Sequence, residues 1–121
     1  MLHIEYYKDG TPCECDEMDR NYYSPSKVLL TEMPCVNGKA HGIERAYYST
    51  GVLWSETPWV NGEKHGLYKE YYGSGALQWL VLYVNNKRHG KRKNYFEFGL
   101  LRKEDIWIRN ISYNHPIENF L

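Results

Sequence analysis

Residues 60–66 read VNGEKHG, and near copies stand 24 positions away on either side, VNGKAHG at 36–42 and VNNKRHG at 84–90. A phrase repeated at constant spacing serves either a reactive residue needed in several copies or a backbone shape rebuilt once per structural unit. Set in rows of 24, the chain reads VNGKAHGIERAYYSTGVLWSETPW from Val36, VNGEKHGLYKEYYGSGALQWLVLY from Val60 and VNNKRHGKRKNYFEFGLLRKEDIW from Val84, with no gap. Such self-similarity marks a repeat architecture, in which each unit buries its apolar face only against its neighbours.

Each row reads as two strands joined by two turns. Asn37-Gly38 and Asn61-Gly62 carry the strongest short-range hairpin signal, because a type I′ turn needs positive φ at both central residues. In the third row the pair becomes Asn85-Asn86, and asparagine is well tolerated there. Gly51, Gly75 and Gly99 close the second turn. On the second strand Leu53, Leu77 and Leu101 align, as do Trp59, Tyr83 and Trp107 six residues on; the even offset puts both columns on one face, the expected core. On the first strand Tyr47, Tyr71 and Tyr95 form a further column, and Tyr48, Tyr72 and Phe96 point the other way as an exposed aromatic row.

Strand spacing decides between the two readings of the phrase. Two antiparallel strands advance a sheet by about 9.5 Å, so His41, His65 and His89 stand about that far apart. Two ligands of one ion lie within roughly 4 Å of each other, so these imidazoles cannot share a metal. Each is expected to bond or pack against its own turn, before Gly42, Gly66 or Gly90.

The 121 residues fit one domain, and twelve Tyr and four Trp suit half-buried sheets. No run of 18 apolar residues spans a bilayer and the start MLHIEYYKDG is unlike a signal peptide, so the expected compartment is cytoplasmic. Cys13, Cys15 and Cys35 are odd in number and read as reduced thiols; no second pair with finger-type spacing joins them, so no metal and no other cofactor is expected. The net charge of zero conceals a gradient: residues 1–35 hold seven acids against three bases, and residues 84–109 hold eight bases against three acids.

The whole chain, 1–121, is read as a single repeat domain. Residues 1–35 are degenerate N-terminal repeats around an acidic loop at 11–21, and 36–59, 60–83 and 84–107 are the regular repeats. Residues 22–35 copy the second half of a row with one residue added. Residues 108–121 begin a fourth row but lose its histidine and glycine, as terminal caps do.

The phrase xNGxxHGxxxxYYxxG at 60–75 resembles the MORN repeat in its variant form, well over residues 36–107 and loosely over 4–35. The resemblance implies an all-β, elongated single-layer antiparallel sheet of stacked hairpins. It also implies scaffold functions: protein binding, dimerisation, contact with acidic phospholipids and, for bacterial variant arrays, an antitoxin-like role.

No enzymatic constellation accompanies this. The chain has no G-x-S-x-G, no GxxxxGK and no HExxH, and Gly73-Ser74-Gly75 reads as a turn, so no catalytic residues are assigned. The expected function is a protein–protein interaction or scaffold module, antitoxin-like or self-associating as a homodimer, binding an unidentified protein through Tyr48, Trp54, Tyr72 and Phe96. The alternative is contact with anionic phospholipid headgroups through Lys87, Arg88, Lys91, Arg92 and Lys93. Nucleic acid is disfavoured, because the chain is neutral and its acidic end opposes such binding.

Overall fold

Among the described residues, four pairs of adjacent residues with positive φ set the architecture: Asn37-Gly38 at 52° and 74°, Asn61-Gly62 at 47° and 85°, Asn85-Asn86 at 48° and 71°, and Arg109-Asn110 at 50° and 69°. Each makes the tip of a type I′ hairpin, whose twist matches that of its strands. The fourth turn continues the 24-residue spacing into the expected cap, on residues that carry no glycine. The computed structural model describes residues 18–25 and 28–113.

The described strands are β1 (Met18–Tyr22), β2 (Leu29–Val36), β3 (Lys39–Ala40), β4 (Gly42–Tyr47), β5 (Leu53–Val60), β6 (Glu63–Lys64), β7 (Gly66–Tyr71), β8 (Leu77–Val84), β9 (Lys87–Tyr95), β10 (Leu101–Ile108) and β11 (Ile111–Ser112). They form one open antiparallel sheet in the order β1-β2-β4-β5-β7-β8-β9-β10-β11, with β3 on β2 and β6 on β5. The chain is all-β, as its turn chemistry requires. Among the described residues no helix is long and apolar enough to cross a membrane.

Three expectations are corrected. The acidic stretch 11–21 is not a loop throughout: Met18–Asn21 belong to β1, and 11–17 lie outside the described residues. Cys35 is disulfide-bonded rather than a free thiol, and its partner lies outside the described residues. Such a bond belongs to oxidising surroundings, so the cysteines lend no support to a cytoplasmic location.

The third correction concerns the faces. Ala46 is opposite Ser55, but the next pair is Tyr47 opposite Leu53, so Trp54 is an extra residue in β5. The same shift sets Leu30, Gln78 and Arg102 into bulges, with Tyr22 opposite Leu29, Tyr71 opposite Leu77 and Tyr95 opposite Leu101. A bulge reverses the alternation beyond it. Leu53 therefore shares the face of its partner Tyr47, whose hydroxyl bonds to Glu32 Oε2 at 3.3 Å. Trp59 lies on the other face, its indole N–H donating to Glu44 Oε1 at 3.0 Å. The leucine and Trp59 columns occupy opposite sides of the sheet.

A second irregularity explains the His-Gly step. The N–H groups of His41 and His65 donate to the carbonyls of Pro34 and Pro58. A Cβ on Gly42 would stand 2.8 Å from Pro34 Cγ, and one on Gly66 3.0 Å from Pro58 Cγ. Glycine is needed there because a proline ring fills its space. Beside Gly90 of the third row the place of proline is taken by Leu82, and β9 runs unbroken from Lys87 to Tyr95.

The Trp59 face holds the core: Met33, Cys35 and Ala40 are buried, with Trp59 packed against them. Further along this face Ala46 and Val81 are buried beside polar groups, Ser55, Thr57, Asn94 and Asp105. Asn94 donates through its amide to the Gln78 carbonyl and accepts from Arg102 Nη1 at 3.2 Å, so its burial is compensated.

Candidate functional site

Trp54, the extra residue of β5, is 41% exposed, whereas Leu30 at the equivalent bulge of β2 is buried. The Trp54 ring lies against Tyr48, centroids 6.3 Å apart and tilted by 50°. One row on, Gln78 takes the bulge beside Tyr72; in the third row Arg102 does, its guanidinium 5.8 Å from the Phe96 ring. Phe96 also stacks on Phe98, centroids 5.2 Å apart and rings within 5° of parallel.

Tyr48, Tyr72 and Phe96 run along one edge of the sheet, at the start of successive turns. The Tyr48 hydroxyl donates to the Tyr71 carbonyl at 2.7 Å and that of Tyr72 to the Tyr95 carbonyl at 2.6 Å. Tyr23 does the same to Tyr47 at 2.9 Å. The tyrosines are thus half-buried ties between repeats as well as surface rings, while Trp54 and Phe96 are exposed. Ties of this kind hold the rings still, which lowers the entropy lost when a partner covers them.

The five basic residues of the third row do not form one surface. Arg88 stacks on Trp107 at 3.9 Å and donates through Nε to Asn110 Oδ1 at 3.3 Å. Arg92 holds the buried Asp105 with two hydrogen bonds, 3.0 and 2.6 Å, and lies 4.8 and 5.0 Å from the Trp79 and Trp107 rings. Lys93 stands 3.9 Å from Glu104. Lys87 and Lys91 are exposed.

Burial pushes the Asp105 carboxyl up, but hydrogen bonds from Arg92 and Trp107 and the charge of Arg92 outweigh it and hold the group below the usual carboxylate range. Glu44 goes the other way, raised by burial against the opposing hydrogen bond from Trp59 and the charge of Lys64.

Sequence reasoning missed a ladder on the Trp59 face. Lys64 Nζ lies 5.9 Å from the Trp59 ring and 5.1 Å from Tyr83, and Arg88 then covers Trp107. Cations alternate with aromatic rings from repeat to repeat. Its signal was present as Ala40, Lys64 and Arg88, residues at one position of the row, each across from an aromatic or core residue of the preceding strand.

His41 and His65 act between repeats. His41 Nδ1 accepts from the Asn61 N–H at 3.2 Å and His65 Nδ1 from the Asn85 N–H at 3.3 Å. Each imidazole therefore caps the next turn rather than its own. Two hollows lie between consecutive turns, about 240 Å³ beside Glu63, His65 and Asn85, and about 350 Å³ beside Lys87, His89 and Arg109.

Residues 40–61 and 64–85 match the family model described as MORN repeat variant. The two matches are offset by the same 24 residues that separate the turns. No curated protein and no solved structure matches the chain.

Proposed function

We propose that this chain, which belongs to the MORN repeat variant family, is a non-enzymatic module that binds a partner protein through Tyr48, Trp54, Tyr72 and Phe96, in a scaffold or antitoxin-like role. The observation that carries the reading is Trp54, an exposed ring packed on Tyr48 at an otherwise tied-down edge. Large rings held rigid at a surface are the usual anchors of protein interfaces. Anionic lipid is the weaker alternative, since Arg88, Arg92 and Lys93 are engaged within the sheet. Lys87 and Lys91 alone supply about 1 kcal/mol each at a charged membrane, too little for an anchor.

The test replaces Trp54 and Phe96 with serine and leaves the bonded tyrosines in place. Capture of the partner from the native source is expected to disappear while the melting curve holds. Retained capture counts against the reading, and salt-sensitive flotation with acidic vesicles that Lys87→Glu with Lys91→Glu abolishes would favour the lipid alternative.

A further inference from the structure

The sheet grows by one rule of register, and the rule stops short at both ends. Within the chain Thr31 and Glu32 on β2 face Ala46 and Arg45 on β4, and Ser55 and Glu56 on β5 face Glu70 and Lys69 on β7. β8 meets β9 in the same way, Trp79 opposite Asn94 and Leu80 opposite Lys93. One row further the matching positions on β10 are Lys103 and Glu104. Among the described residues no strand lies on that side of them, because β11 pairs only with Trp107 and Ile108.

At the other end β1 repeats the first strand of a unit. Arg20 is opposite Glu32 and Asn21 opposite Thr31, just as Arg45 is opposite Glu56 and Ala46 opposite Ser55. Among the described residues, the far edge of β1 also carries no strand.

The two edges are complementary. Along the Glu32 face the bases Arg20, Arg45, Lys69 and Lys93 on first strands alternate with Glu32, Glu56 and Glu104 on second strands, Leu80 between Lys69 and Lys93 being the exception, and Arg45 has Glu56 at 3.4 Å on one side and Glu32 opposite on the other. The stripe begins at Arg20, 3.5 Å from Glu32 with its side chain 49% exposed, and ends at Glu104, 34% exposed beside Lys93. Among the described residues, each end residue has a counter-charge on one side only. Apolar area is open at the same place: Leu101 is 44% and Leu100 61% exposed, whereas Leu53 and Leu77, with a further repeat beyond them, are half-buried.

We infer that a second copy of this chain docks head to tail, β1 of one molecule pairing antiparallel with β10 of the next, Arg20 opposite Glu104 and Asn21 opposite Lys103. The contact continues the register that already joins one repeat to the next. It joins two different surfaces, so it does not close on itself and extends into an open chain of molecules. Main-chain hydrogen bonding supplies the affinity and the charges fix the register. The inference rests on the reading of the array as an interaction module but uses neither Trp54 nor Phe96.

Sedimentation of the full chain over rising concentration tests it, with Arg20→Glu and Glu104→Arg as variants. The wild-type mass is expected to climb from 14.4 kDa past the dimer. Each variant alone places like charges at the joint and should associate on the order of tenfold more weakly. An equimolar mixture of the two restores opposite charges at every joint and should recover the wild-type curve, which misfolded variants would not do. A wild-type chain that stays at 14.4 kDa, a mass that stops at the dimer, variants that associate like the wild type, or a mixture without recovery overturns the proposal. A monomeric chain that still captures a partner through Trp54 would remove this inference and leave the binding-module reading standing.

Discussion

His41 Nδ1 accepts a hydrogen bond from the backbone N–H of Asn61, 3.2 Å away and one repeat further along the sheet. The Asn61-Gly62 turn is held a second time, by the Gly62 N–H donating to the Ala40 carbonyl at 2.8 Å. His65 and Lys64 hold the next turn in the same manner, through Asn85 and Asn86. Where glycine gives way to Asn86, its Oδ1 also accepts from the Lys64 N–H at 2.8 Å. The thrice-written phrase is a device for fastening one hairpin to its neighbour.

Removing that fastening should therefore cost stability without changing the fold. His41→Ala and His65→Ala are each expected to lower the unfolding free energy by about 1 kcal/mol. The sites lie one repeat apart, so the double variant should lose about the sum. Urea titrations followed by far-ultraviolet circular dichroism would measure this, and no change in either variant would count against the capping role.

The glycines after the histidines should differ in cost. A Cβ at Gly42, where φ is +120°, would meet Pro34 Cγ at 2.8 Å; at Gly90, φ +95°, the nearest atom is Leu82 Cδ2 at 3.5 Å. Gly42→Ala combines backbone strain with a clash against a ring that cannot rotate away, and should cost about 3 kcal/mol. Gly90→Ala carries the strain alone, about 1 to 2 kcal/mol. Thermal melts of the two variants should rank them in that order.

Two carboxylates on the Trp59 face, Asp105 buried and Glu44 half-buried, should respond oppositely to loss of charge. Asp105 is lowered because Arg92 and Trp107 bond to its ionised form, so its contribution is present above its unfolded value and is lost as pH falls through the lower folded value. Asp105→Asn leaves Arg92 without its anion and should cost roughly 2 to 4 kcal/mol at neutral pH. Glu44 is raised by burial, so its ionised form is the disfavoured one in the fold, and Glu44→Gln should be neutral or stabilising there. Equal losses for the two at pH 7 would contradict the assignment.

At the alkaline end, Tyr71 donates to Glu56 Oε1 at 2.9 Å, and burial with that hydrogen bond and charge lifts its phenol to about 12. Tyr68 is raised for the same reasons, against Glu70. A raised value stabilises the fold below the unfolded pKa near 10 and ceases to do so as pH rises through about 12. Absorbance at about 295 nm should show tyrosines that ionise late in that window, fewer of them in Tyr71→Phe.

The turns were legible in the sequence because φ at a hairpin tip is a local demand, met by Asn-Gly whatever surrounds it. The faces were not. A bulge adds one residue per row without disturbing the 24-residue period, so Leu53 and Trp59 keep an even offset while lying on opposite sides. Asn61 being bonded by His41 was equally hidden, since a side chain's reach across twenty residues depends on how hairpins stack. Trp54 was named beside the aromatic row, and the structure places it there as an exposed ring against Tyr48. The engagement of Arg92 and Arg88 within the sheet was hidden too, because one-dimensional spacing does not reveal Asp105 and Trp107 on the next strand.

Amide hydrogen exchange at the turns tests the interlocking of repeats most directly. The N–H groups of Asn61, Gly62, Asn85 and Asn86 sit at exposed hairpin tips, yet each donates to the preceding repeat. They are predicted to exchange as slowly as neighbouring strand amides, and protection at Asn61 should fall selectively in His41→Ala and at Asn85 in His65→Ala. Exchange at the rate of an open loop in the wild-type chain, or protection indifferent to both substitutions, would contradict the account.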